Sequence, residues 1–220
     1  MDLMYLGIAI ANALLVTLSF YFLTTYLNGA VVLELKKKGK WINDKIVVID
    51  AIVTFILTGV ITYLRFPNMP LEMRILTSVF ICIMASLTAC DIAKKIVPNR
   101  IIVAALFIWM LVLSIAIIFN TMQGVALLGN SLIGGIIAGA IFLLCYVITK
   151  KKLGAGDVKF AFVLGLYMTA TRMFGGIFYG SVLCCLFCLI QIIRKKLTFK
   201  SGVPMIPFLY MGCLVTYIIL

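Results

Sequence analysis

The chain has 220 residues, of which 65% are hydrophobic and only 12% charged, with a mean hydropathy of +1.23. Soluble domains carry roughly 25% charged and about 45–50% apolar residues, so a water-soluble fold is excluded. Histidine is absent, which removes a Ser-His-Asp triad, a Cys-His dyad and any histidine-ligated metal from consideration.

Long apolar runs follow one another along the chain, each near the roughly 20 residues a helix needs to cross a bilayer. Leu3–Leu33 is the first, and Ile46–Leu64, interrupted only by Asp50, is the second. Ile75–Cys90 is the third. Ile101–Thr149 runs 49 residues without a charge, enough for two helices, with Asn120-Thr-Met-Gln-Gly124 as the expected turn. Phe160–Thr171 is a short sixth span of 12 residues, followed by Met173–Ile193 and Ser201–Leu220. The expected fold is an all-α, polytopic membrane bundle of about eight transmembrane helices. It is read as a single membrane-embedded domain over 1–220, with two N-terminal spans in 1–66 and a core in 72–220. Asp2 and the length of the first run argue against a cleavable signal peptide.

The net charge of +12 sorts by loop: sixteen of the nineteen basic residues fall in the loops after spans one, three, five and seven. Only Arg65, Arg74 and Arg172 fall on the other side. The positive-inside rule then places those four loops in the cytoplasm and both termini outside. The charge is a topology signal, with attraction to anionic lipid headgroups as a lesser reading; nucleic acid is not an expected partner. The seven cysteines lie in or beside apolar runs, so Cys185-x-x-Cys188 reads as packing rather than as a metal or redox site. Gly135/Gly139 and Gly176/Gly180 read as small-residue contacts between helices.

Of the seven acids, Asp2, Glu34, Asp44 and Glu72 sit at ends or in loops. Asp50, Asp91 and Asp157 remain, and an ionisable residue at membrane depth is a functional candidate. Asp91 closes the third span in Cys90-Asp-Ile-Ala-Lys-Lys-Ile-Val-Pro-Asn99, and Asp157 opens the sixth in Leu153-Gly-Ala-Gly-Asp-Val-Lys159. Both are expected at the cytoplasmic ends of their helices, and so at one depth. Taken singly, each also fits a solvated helix-end residue. Taken together, two carboxylates at one level suit an aspartic protease, because adjacent like charges cannot both ionise and the pair retains one proton. Gly154 and Gly156 are read as positions free to take φ > 0 and to allow close backbone approach. Pro98 is expected to keep the segment after Asp91 extended. Asp50 lies one turn into the second span, where an ion pair with Lys45 or Lys94, or a secondary role at the site, are both open.

Asp91 with Pro98-Asn99, followed by Gly154-x-Gly156-Asp157-x-Lys159 with Asp157 66 positions after Asp91, and then by Pro204 and Pro207, resembles the signature of the type IV prepilin peptidases, GxGD-type intramembrane aspartyl proteases. The resemblance covers roughly Ser86 to Leu220. It implies that Asp91 and Asp157 are catalytic, that Pro98, Asn99, Gly154, Gly156, Lys159, Pro204 and Pro207 support the motif or bind substrate, and that no cofactor is needed. The implied substrate is a prepilin-like membrane protein, cleaved between a basic leader and an apolar helix at the cytoplasmic face of the cell's plasma or inner membrane. Larger members carry two CxxC pairs after the first span and methylate the new N-terminus. Here that loop, Glu34 to Lys45, has no cysteine, so a compact, peptidase-only form without zinc is implied. Two other readings stay open: a proton-coupled transporter or channel with Asp50, Asp91 and Asp157 as a relay, and an inactive structural member.

Overall fold

A computed structural model describes residues 2–34, 42–150, 153–195 and 203–219. Those residues form seven α-helices and one 3₁₀ turn, with no strand among them. The helices are α1 (Asp2–Glu34), α2 (Asp44–Arg65), α3 (Leu71–Lys94), α4 (Asn99–Phe119), α5 (Thr121–Ile148), α6 (Ala155–Ile193) and α7 (Ile206–Ile219), with the 3₁₀ turn Phe66–Asn68 between α2 and α3. Six of the helices are long and apolar enough to span a bilayer, and α7 is shorter. Helices satisfy every interior backbone group within the segment, which is why the fold consists of them. Their few hydroxyls bond back to the preceding turn, as Thr24 does to the Phe20 carbonyl and Ser86 to that of Cys82.

The helix α3 is the central element. Nearly all of its residues from Leu76 to Asp91 are buried, while α1, α4 and α5 expose broad apolar faces. A helix apolar all round belongs in the middle of a bundle. Around it, α1 packs on α2 and α3, α4 on α3 and α5, and α6 mainly on α5 and α7. Aromatic rings fill the centre: Phe80 of α3 stacks on Tyr167 of α6 at 5.7 Å and lies 6.2 Å from Tyr217 of α7.

Two boundaries differ from those expected. The five-residue turn Asn120–Gly124 contracts to Asn120 alone, whose side chain caps α5 by accepting from the Gln123 N–H at 3.3 Å. Gly124 is the reason the helices can meet so abruptly. A Cβ there would fall 2.6 Å from the Ile117 backbone. In place of a sixth span ending at Thr171 and a seventh starting at Met173, one helical element runs from Ala155 to Ile193. It is broken at Thr169, where φ is 61° and ψ is 170°. A Cβ on Gly176 would lie 2.8 Å from the Met168 sulfur, whereas eight residues on a straight helix span about 12 Å. The second part of α6 therefore folds back on the end of the first. Arg172, which marked the expected boundary, stands inside the second part with its guanidinium 5.7 Å above the Tyr217 ring.

The small-residue contacts are where the sequence places them, with closer ones beside them. A Cβ on Gly135 would lie 2.7 Å from Leu166, and one on Gly180 2.8 Å from the Leu209 backbone. Gly165 of α6 and Gly134 of α5 meet backbone to backbone.

Candidate active site

The helix α3 ends just past Asp91. Lys95 takes a left-handed conformation at φ 54°, and its N–H bonds the Asp91 carbonyl at 2.8 Å. Pro98 (φ −66°, ψ 122°) keeps the chain extended and forms the cap from which α4 starts at Asn99, as its fixed φ and missing N–H predict. Asp91 is 5% exposed, with its Oδ2 accepting the Ile206 N–H at 3.0 Å. Ile206 is the first residue of α7, so this donor is one of the N–H groups a helix start leaves without an internal partner. The positive end of the α7 dipole thus faces the Asp91 carboxylate. Pro204 keeps the approach to α7 extended, and Pro207 sits in its first turn, where a missing N–H costs nothing.

Asp157 is the third residue of α6. Its Oδ2 accepts the Gly154 N–H at 3.2 Å while its own N–H bonds the Gly154 carbonyl at 3.0 Å. This is the carboxylate half of a capping box. It holds the Asp157 side chain against the helix start, half-buried. Asp91 and Asp157 lie close enough for a direct Coulomb interaction. Two helix ends separated by 66 positions thus meet.

The glycines of this loop act by their size and not by their dihedral freedom. Gly154 has φ −69°, a value open to any residue, and neither it nor Gly156 takes a left-handed φ. A Cβ on Gly154 would stand 3.0 Å from the Asp157 carboxylate, and one on Gly156 3.0 Å from the Val97 Cβ. Gly156 therefore lets the segment before α6 lie against the segment after Asp91. Lys159 turns away from Asp157, as two residues along a helix require, and its ammonium donates to the Asn99 Oδ1 at 3.2 Å. Every residue of both motifs is thus placed at one end of the bundle.

Asp50 is 7% exposed on α2. The ion pair with Lys45 or Lys94 is not formed, and its buried Oδ2 has no hydrogen-bond partner among the described residues. Both lysines extend at the exposed surface while Asp50 points inward. Sequence reasoning missed the Ile206 N–H, Val97 and the Thr54–Tyr210 pair described below. The proline pair at 204 and 207 was the only local sign that a helix start belongs to this site.

Six helices long and apolar enough to cross a bilayer, among the described residues, make this a multi-pass helical membrane protein. The chain belongs to the type IV leader peptidase family, whose profile matches residues 78–189, about half of its 220 residues, and it is accordingly a peptidase. No curated protein and no solved structure matches it.

The contact at Gly156 is testable. Gly156→Ala is expected to lower peptide cleavage about tenfold by moving the Val97 segment a few tenths of an ångström. Removing the opposing Cβ with Val97→Gly in the same chain should recover most of that loss. A double variant no better than Gly156→Ala would show that this contact is not what the glycine protects.

Proposed function

We propose that the chain is an aspartic endopeptidase that removes the basic leader of prepilin-like precursors at the cytoplasmic face of the cell membrane. The observation that carries the reading is the approach of Asp91 and Asp157, each tethered by a backbone N–H from a helix start. The pair holds one proton between its two carboxyls. The ionised member takes a proton from water as the water oxygen bonds to the scissile carbonyl carbon. The protonated member gives its proton to the carbonyl oxygen, yielding a gem-diol. The pair then gives its proton to the leaving nitrogen while one gem-diol hydroxyl returns its proton to the pair; the C–N bond breaks, acid and amine leave, and the pair again holds one proton.

The family assignment supports a leader peptide as substrate, and the basic loops next to both aspartates support a cytoplasmic site with both chain ends outside. In this arrangement residues 1–66 flank a peptidase core over 72–220. An apolar groove of about 990 Å³ between α1, α3 and α4, with Asn99 and Arg100 at its end, offers the precursor's apolar helix a place beside the site. The test is cleavage by the purified chain, in detergent, of a peptide with a Lys/Arg-rich leader, a glycine and an apolar helix. A single cut between leader and helix is the expected product. Cleavage unaffected by shuffling the leader's charges to acidic residues would refute the substrate assignment. A proton relay, by contrast, predicts no cut at all.

A further inference from the structure

The helices α2 and α7 run side by side in the same direction. The Thr54 hydroxyl meets the Tyr210 hydroxyl at 3.3 Å, and toward the far ends Arg65 donates to the Ile218 carbonyl. One turn back from Thr54 is Asp50; one turn back from Tyr210 is Ile206, whose N–H holds Asp91. The hydroxyl contact sets the two helices together in the same sense, which places Asp50 toward the same end of the bundle as Ile206 and Asp91. The neighbours agree. Cys90, adjacent to Asp91, lies within electrostatic reach of both Asp91 and Asp50, and Tyr210 lies within reach of Asp50.

Three carboxylates therefore lie toward one end of the bundle, and they differ in one respect. Asp91 and Asp157 each accept a backbone N–H, whereas the Asp50 Oδ2 is buried without a partner among the described residues. An unpartnered buried carboxyl is costly. Thr54 and Thr58, the next residues on the same face, are neutral and equally buried, so nothing in the packing calls for a carboxylate. A peptide drawn into this place loses the water on its main chain and needs replacement partners for its N–H groups.

We propose that Asp50 is a substrate-binding residue of this site, accepting a main-chain N–H of the peptide beside the scissile bond. The inference rests on the reading of Asp91 and Asp157 as the catalytic pair. The experiment separates the two. Binding of the leader–glycine–apolar-helix peptide is measured in an Asp157→Asn chain, where nothing turns over, with Asp50 intact, as Asn or as Ala. Losing a hydrogen bond to a carboxylate should weaken binding about tenfold in the Asp50→Ala form, with Asp50→Asn keeping part of it. In the chain with both catalytic aspartates, KM should rise by the same factor while kcat changes by less than about threefold. Thermal stability in detergent should hold or improve, because no folded-state partner is lost.

Unchanged binding and KM would overturn the proposal. So would a tenfold fall in kcat at constant KM, which would make Asp50 act through the pair. A fall in melting temperature with both constants would make its role structural, and would also overturn it. If the wild type cleaves nothing yet Asp50 still governs peptide binding, the catalytic reading fails and this one stands. If the peptide neither binds nor is cut, both fall.

Discussion

Asparagine at Asp91 or at Asp157 is expected to reduce leader cleavage by about 10³-fold or more, the range over which acid–base groups contribute. The two single variants should be nearly equal, and the double variant little worse than either, because the members of a proton-sharing pair act as one unit. Both should remain folded. An asparagine at 91 keeps an oxygen for the Ile206 N–H, and one at 157 keeps an oxygen for the Gly154 N–H, so the amide replaces the shape and the tethers but cannot hold the shared proton. Product formation followed by mass spectrometry, beside thermal unfolding in detergent, checks this. Activity within tenfold of wild type in either variant would remove that residue from the chemistry. Substantial loss in both but an equal loss in Asp50→Asn would favour a relay of three acids over a working pair.

A large loss of stability is expected at the α5–α6 contact. An added Cβ on Gly165 would fall 2.2 Å from the Gly134 carbonyl oxygen and 2.6 Å from its carbon. An added Cβ on Gly134 would fall 2.5 Å from the Gly165 oxygen and 2.7 Å from the Thr169 carbonyl carbon. Every atom met is backbone, so no side chain can rotate aside and the two helices must separate. Over-packing a core typically costs about 1–3 kcal/mol, and with backbone on both sides Gly165→Ala should cost at least about 3 kcal/mol. The measured result should be a melting temperature lowered by many degrees or no recoverable folded protein. Gly129→Ala on the same α5, where a Cβ meets nothing within 4 Å, is the matched control and should be close to neutral. A Gly165→Ala chain as stable as that control would mean the helices do not meet as described.

Hydropathy made the fold class legible, because a bilayer leaves long apolar helices as the only economical reading of such a chain. The helix ends at the site were legible for local reasons: Pro98 and Gly154 act on their own neighbours. The break in α6 was misplaced because Arg172 carries a charge that sequence reasoning assigns to a boundary, while in the fold the Tyr217 ring accommodates it. Gly135/Gly139 and Gly176/Gly180 were read as helix contacts from their spacing, yet Gly134 of α5 and Gly165 of α6 meet more closely than Gly135 and Gly139 meet their neighbours; a contact between glycines 31 positions apart has no local spacing to reveal it. For Asp50 an ion pair with Lys45 or Lys94 and a secondary role at the site were both open, and the ion pair is not formed. The carboxyl's actual surroundings, Cys90 and Tyr210, are 40 and 160 positions away. No local pattern encodes such a meeting.

The amide that holds Asp91 belongs to α7, and α7 leaves the ribosome after the six other helices. A chain synthesised only as far as α6 already contains both aspartates and both glycines, yet the carboxylate of Asp91 has no helix end to face. The buried Asp91 carboxylate therefore gains its backbone donor only after α7 has been made and has packed against α3.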